Sequence, residues 1–92
     1  MALLSDPQIE QHLEGSDWRR ENDEIVRDLS FDDFAAAITF VNRVAETAES
    51  ANHHPDILVH GWNKVRLTLS THSEGGLTAA DFALAESLDG LS

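Results

Sequence analysis

The chain has 92 residues, 17 acidic against 6 basic side chains, a net charge of -11 and no cysteine. That length makes one small domain, residues 1–92, whose limited core makes self-association an expected source of stability. The missing cysteines exclude disulfides, thiolate metal sites and cysteine nucleophiles, and the acidic surface opposes binding to nucleic-acid phosphates or anionic lipid.

At the start of the chain, Met1-Ala2-Leu3-Leu4 lacks a basic flank or an apolar signal core. No apolar run approaches the ~20 residues that span a bilayer, so a cytoplasmic protein without a membrane partner is expected. Ser5-Asp6-Pro7 reads as a helix start, with Ile9 and Leu13 on its sticky side and Glu14-Gly15-Ser16-Asp17 as the terminating turn. Trp18–Glu21 and Glu24–Phe31 then read as a first hairpin turning at Asn22-Asp23, although Arg27 shares the parity of Ile25 and Leu29.

Ser30 is expected to cap the main helix, with Asp32 and Asp33 in its first turn. Phe34, Ile38, Val41, Ala45 and Ala48 form the expected core stripe, widened by Phe40 and Val44. Glu49 falls on nearly the same stripe and is therefore expected to point inward. Pro55 ends the helical register. Asp56–His60 and Asn63–Ser70 predict a second hairpin around Gly61-Trp62, with Val65, Leu67 and Leu69 on one side. After the Gly75-Gly76-Leu77 loop, Thr78 and Asp81 form a capping-box-like start to a last helix carrying Leu84, Leu88 and Leu91. The order α-β-β-α-β-β-α predicts an α+β fold, a four-stranded antiparallel sheet with helices packed on one face.

His53 and His54 at the end of the long helix and His72 near the end of the last strand are read as one site. Other readings of these residues remain. The histidine pair suits the negative end of a helix dipole, Asp81 suits a cap, Glu49 suits an exposed helix end, and three imidazoles suit zinc. Trp62 is expected to pack, and His12 and His60 to lie on the surface.

The ordered set Glu49-x-x-x-His53-His54-Pro55, Trp62, His72 and Gly76-Leu77-Thr78-x-x-Asp81 resembles the pterin-4a-carbinolamine dehydratase family over nearly the whole chain. Trp18, the Ile25–Phe34 stretch, Trp62-Asn63-Lys64-Val65 and Thr71-His72 also stand where that family has similar residues. Asn52 and Ala80 depart from it, standing where relatives often have Asp and some have Arg. The resemblance implies a homodimer or homotetramer and a pterin site needing no metal and no cofactor. It also implies dehydration of a 4a-hydroxytetrahydropterin to the quinonoid dihydropterin, serving an aromatic amino acid hydroxylase. Such a dehydration needs one proton delivered to the departing hydroxyl and one removed from the adjacent ring nitrogen, and imidazoles titrate in the range that permits both.

By that resemblance the catalytic set is His53, His54 and His72, with His53 and His72 as acid/base groups and His54 in substrate contact. Glu49, Pro55, Thr71, Ser73, Glu74 and Asp81 form the substrate-binding set, Glu49 and Asp81 orienting imidazoles or binding the pterin amidine edge. The alternative function is a non-catalytic interaction module of the same fold, since some relatives dimerise a transcription factor and others act as assembly factors.

Overall fold

The structure is a computed structural model and describes residues 2–92. Three helices and four strands follow in the expected order: α1 (Asp6–Leu13), β1 (Arg19–Glu21), β2 (Glu24–Ser30), α2 (Phe34–Ala51), β3 (Asp56–His60), β4 (Lys64–Leu69) and α3 (Ala79–Asp89). The sheet is antiparallel throughout, in the spatial order β1-β2-β4-β3. At 18 residues, α2 is roughly 27 Å long. It carries the chain from the middle of the sheet to its far edge, and the second hairpin folds β4 back against β2.

Strand alternation defines the core. Val65, Leu67 and Leu69 are buried on one face of β4, where Ile25 pairs with Leu69 and Ile57 with Leu67. Phe40 and Val44 of α2, Phe82, Leu84 and Leu88 of α3, Ile9 of α1 and Trp18 close over that face. Arg27 lies on the same face and explains the imperfect alternation of β2. Its guanidinium reaches the edge of the core, bonding Asp89 Oδ1 at 2.5 Å and Ser92 Oγ at 3.3 Å. The indole N–H of Trp18 donates to the same Asp89 oxygen at 2.8 Å. This cluster ties the end of α3 to the first hairpin.

The local signals place the helix starts well, with one exception. Ser5 caps α1 in a capping box with Gln8, and Thr78 caps α3 in one with Asp81. In α2 the expected Ser30 cap is wrong: Ser30 is still paired with Lys64 in the sheet, and Asp33 caps the helix by accepting the Ala36 N–H at 2.7 Å. Sheet pairing of β2 outcompeted the earlier start.

The buried stripe of α2 agrees with the expected one at Phe40, Val44 and Ala48 and differs from it elsewhere. Ala37, Phe40, Val44 and Ala48 face the core, whereas Phe34 is 55% exposed, Ala45 is exposed, and Ile38 and Val41 are half-buried. At 100° per residue, the buried face is turned about 75° from the line through Phe34, Ile38, Val41, Ala45 and Ala48, toward the side of the widening residues Phe40 and Val44. Glu49 consequently turns outward to solvent, with 77% of its side chain exposed, and does not point inward. Trp62 is likewise not a packing residue. It sits 62% exposed at the tip of the second hairpin, where both Gly61 and Trp62 adopt positive φ.

Candidate active site

The end of α2 is shaped by Asn52. It adopts the left-handed conformation, and its N–H bonds the Glu49 carbonyl while the next N–H, of His53, bonds the Ala48 carbonyl. This is a Schellman closure, and asparagine is one of the few side chains that enter it at low cost. The departure at position 52 therefore has a backbone role here. The turn sends His53 across to α3 and His54 back along α2.

His53 meets Asp81. Its Nε2 lies 2.6 Å from Asp81 Oδ1, and Asp81 itself is fully buried. The other carboxylate oxygen, Oδ2, accepts the Thr71 hydroxyl at 2.8 Å and the Thr78 backbone N–H at 2.9 Å. Thr71 and Thr78 join their hydroxyls at 2.8 Å. A carboxylate surrounded by donors at a helix N-terminus is favourably placed even without solvent, since both the dipole and the hydrogen bonds favour negative charge there. No buried polar side-chain atom among the described residues lacks a partner, which is the condition for a buried polar cluster to stabilise rather than penalise the fold.

His54 is placed differently. Its Nε2 lies 3.5 Å from Glu49 Oε2, and both side chains are largely exposed. His72 is exposed in the turn after β4, one residue beyond Thr71, whose N–H bonds the Gly76 carbonyl at 2.8 Å. Among the described residues it makes no hydrogen bond or ion pair with His53 or His54 through its side chain. Ser73 and Glu74 are exposed in the same turn, and Pro55 is half-buried ahead of β3. The structure thus gathers His53, Asp81, Thr71 and Thr78 into one cluster, sets His54 and Glu49 beside it at the end of α2, and carries His72, Ser73 and Glu74 on the turn that leaves Thr71. No three His, Asp or Glu side chains among the described residues converge as metal ligands would.

A shallow, mostly apolar cleft of about 270 Å³ lies beside His53, lined by Ala51, Ala80, Ala83, Leu84 and Ser87. The alanines, including Ala80 where an arginine was the alternative, keep it open. Two features escaped the sequence. Thr78 was legible as a cap, but its hydroxyl also bonds Thr71. His12, expected only at the surface, stacks on the Phe82 ring at 4.4 Å, beside Asp81 in sequence.

No described helix is long and apolar enough to cross a membrane. Residues 2–91 match the family described as Pterin 4 alpha carbinolamine dehydratase. A protein of Mycobacteroides abscessus, provisionally named pterin-4-alpha-carbinolamine dehydratase, is 52% identical over 97% of this chain and 95% of its own. The crystal structure of a transcriptional coactivator/pterin dehydratase from Brucella melitensis superposes with a TM-score of 0.91 at 30% identity, covering 98% of both chains. A pterin dehydratase-like protein identified as a RuBisCO assembly factor in the alpha-carboxysome shares the fold at a TM-score of 0.66 and 24% identity, over 80% of this chain and 84% of its own. With the match spanning all but the terminal residues and the histidine motif set on the same framework, the chain belongs to the pterin-4-alpha-carbinolamine dehydratase family.

Proposed function

We propose that the protein dehydrates a 4a-hydroxytetrahydropterin to the quinonoid dihydropterin in tetrahydropterin recycling. The observation that carries this reading is His53, whose Nε2 lies 2.6 Å from the buried Asp81 carboxylate and which borders an open cleft. In the reaction the C–O bond at the carbinolamine carbon breaks with its electron pair on oxygen, which takes a proton and leaves as water. The adjacent ring nitrogen loses its proton, and its electron pair closes the C=N bond. Both proton transfers suit imidazole near neutral pH.

In this reading His53 and His72 exchange the protons from the helix end and the neighbouring turn, and His54 contacts the ring. Asp81, whose oxygens are both taken by protein donors, orients His53 and does not touch the pterin. Exposed Glu49 takes the amidine edge, while Pro55, Thr71, Ser73 and Glu74 border the substrate along the backbone of the two turns. The chemistry calls for no metal. The product would return to an aromatic amino acid hydroxylase in the cytoplasm.

Self-association completes the proposal. Phe34, Leu58 and Trp62 are exposed, Ile38 and Val41 are half-buried, and β3 is an edge strand. Such surfaces favour symmetric pairing into a homodimer or homotetramer, and light scattering showing only a 10 kDa monomer at micromolar concentration would contradict it. The same exposed groups favour the second reading, a protein-interaction module, which the coactivator description of the Brucella relative also suggests.

A stopped-flow dehydration assay separates the two. Acceleration of carbinolamine loss, retained after chelator treatment, is expected. Replacing His53 or His72 by Ala should lower kcat by about 10²-fold or more, and His54→Ala should chiefly raise KM. A wild-type protein no faster than buffer would leave the interaction module as the standing function.

A further inference from the structure

The directions of the hydrogen bonds around Asp81 can be worked out from donor and acceptor capacity alone. A carboxylate oxygen facing a hydroxyl accepts, so the one hydroxyl proton of Thr71 is committed to Asp81 Oδ2 at 2.8 Å. In the 2.8 Å contact between the two threonines, Thr71 must then accept and Thr78 must donate. Thr78 Oγ1 in turn accepts the Ala80 N–H at 3.3 Å, so its lone pairs serve the helix cap while its proton serves the chain of hydroxyls. The Thr78 N–H fills the remaining approach to Oδ2 at 2.9 Å.

The hydroxyl bonds from Thr78 to Thr71 and from Thr71 to Oδ2 therefore run toward the Asp81 carboxylate, and Oδ1 is left to meet His53 Nε2 at 2.6 Å. A ring nitrogen facing an acceptor must carry a proton. In the neutral imidazole the other nitrogen, Nδ1, is then the one with the free lone pair. Nδ1 of His53 has no hydrogen-bond partner among the described residues, and the ring borders the cleft beside α3.

We propose that Thr71 and Thr78 are positioning residues: acting through Asp81, their hydroxyls hold the His53 proton on Nε2 and leave Nδ1 as the nitrogen that exchanges protons with the substrate. The proposal rests on the dehydratase reading for its catalytic consequence, but not for the tautomer. Thr71, grouped with the substrate-binding residues by resemblance, works in this account through its buried hydroxyl, away from the ligand. Thr71→Val keeps the side-chain shape and removes the donor, which leaves Oδ2 with the Thr78 N–H alone of the two bonds described for it. The Asp81 carboxylate is then free to rotate, and the His53 proton is no longer held on one nitrogen.

The test is a long-range ¹H–¹⁵N spectrum of histidine-labelled protein together with steady-state kinetics. Wild type should show His53 with a protonated Nε2 and a pyridine-like Nδ1. Thr71→Val should show averaged nitrogens and a kcat lowered about tenfold, the scale of one lost hydrogen bond, with KM unchanged. Thr71→Ser should restore both. A proton on Nδ1 in the wild type overturns the proposal without any variant, as does a folded Thr71→Val that keeps the wild-type pattern, or a Thr71→Ser that loses it. Absence of dehydration by the wild type would instead remove the dehydratase reading, and the nitrogen spectrum would still decide the tautomer.

Discussion

Two aspartates in this small molecule are each held by three donors, and they teach opposite lessons. Asp81, at the start of α3, is fully buried and bound by neutral groups and one imidazole. Asp28, on the open face of the sheet, is 41% exposed and bound by charged groups: Arg66 through Nε at 2.8 Å and Nη2 at 3.3 Å, and Arg19 at 2.9 Å. Charge complementarity is greater at Asp28, yet water competes for each partner there and long side chains lose entropy in pairing, so the net contribution is small. At Asp81 nothing replaces a lost partner. The buried cluster is where the fold and the proposed chemistry are coupled, whereas the surface ladder is separable from both.

The largest effect should come from Asp81→Ala. It leaves one hydroxyl, one N–H and one imidazole without their acceptor and opens the cap of α3, so a loss of about 3 kcal/mol is expected. For a domain of this size that lowers Tm by more than ~10 °C. A loss under ~1 kcal/mol in urea unfolding would show that the cluster is not the anchor described here. Asp89→Ala stands between the two extremes. Its carboxylate, 40% exposed, serves both the Trp18 indole and Arg27, and about 1.5 kcal/mol should be lost.

Asp28 gives a smaller effect with a definite pH dependence. The hydrogen bonds from Arg66, and then from Arg19, hold its carboxyl below the ordinary carboxylate range against the opposing effect of burial. A depressed folded pKa means stability that is present above the unfolded value and lost as pH falls through the folded one. Asp28→Asn should therefore be slightly less stable than wild type at pH 7, with the gap closing as pH drops below ~4, where the unfolded carboxyl protonates. A gap that widened in acid would reverse the sign of this coupling. Glu49→Gln should be smallest, within ~0.5 kcal/mol of wild type as for exposed surface changes, and should raise KM if Glu49 takes the pterin edge.

The contrast also shows what the sequence could and could not disclose. β4 was legible because Val65, Leu67 and Leu69 alternate strictly with polar residues, and α3 was legible because Thr78 and Asp81 stand at capping-box spacing. These are local signals. Helix α2 was legible only in part because it is apolar on two faces: Phe40, Val44 and Ala48 belong to the expected stripe and are buried, while packing against the sheet adds Ala37 and leaves Phe34 and Ala45 outside. Glu49 followed the wrong stripe inward for the same reason. Of the site, the motif supplied the residues and the cap supplied Asp81. Neither showed that the second oxygen of Asp81 would meet His53, 28 positions away, because that contact depends on how α2 and α3 cross. The hydroxyl link between Thr71 and Thr78 arises from the turn that closes Thr71 against Gly76, which no spacing rule anticipates.

The most direct test of the central claim, that Asp81 orients His53 for proton transfer while Asp28 has no part in it, is kcat for carbinolamine dehydration in Asp81→Asn and Asp28→Asn. The asparagine at 81 keeps an oxygen for Thr71 and the helix cap but presents an N–H to His53, so Nε2 must accept and the ring proton moves to Nδ1. A folded Asp81→Asn protein with kcat reduced about 10²-fold or more is expected, beside an Asp28→Asn protein at the wild-type rate. Wild-type kcat in folded Asp81→Asn would contradict the claim.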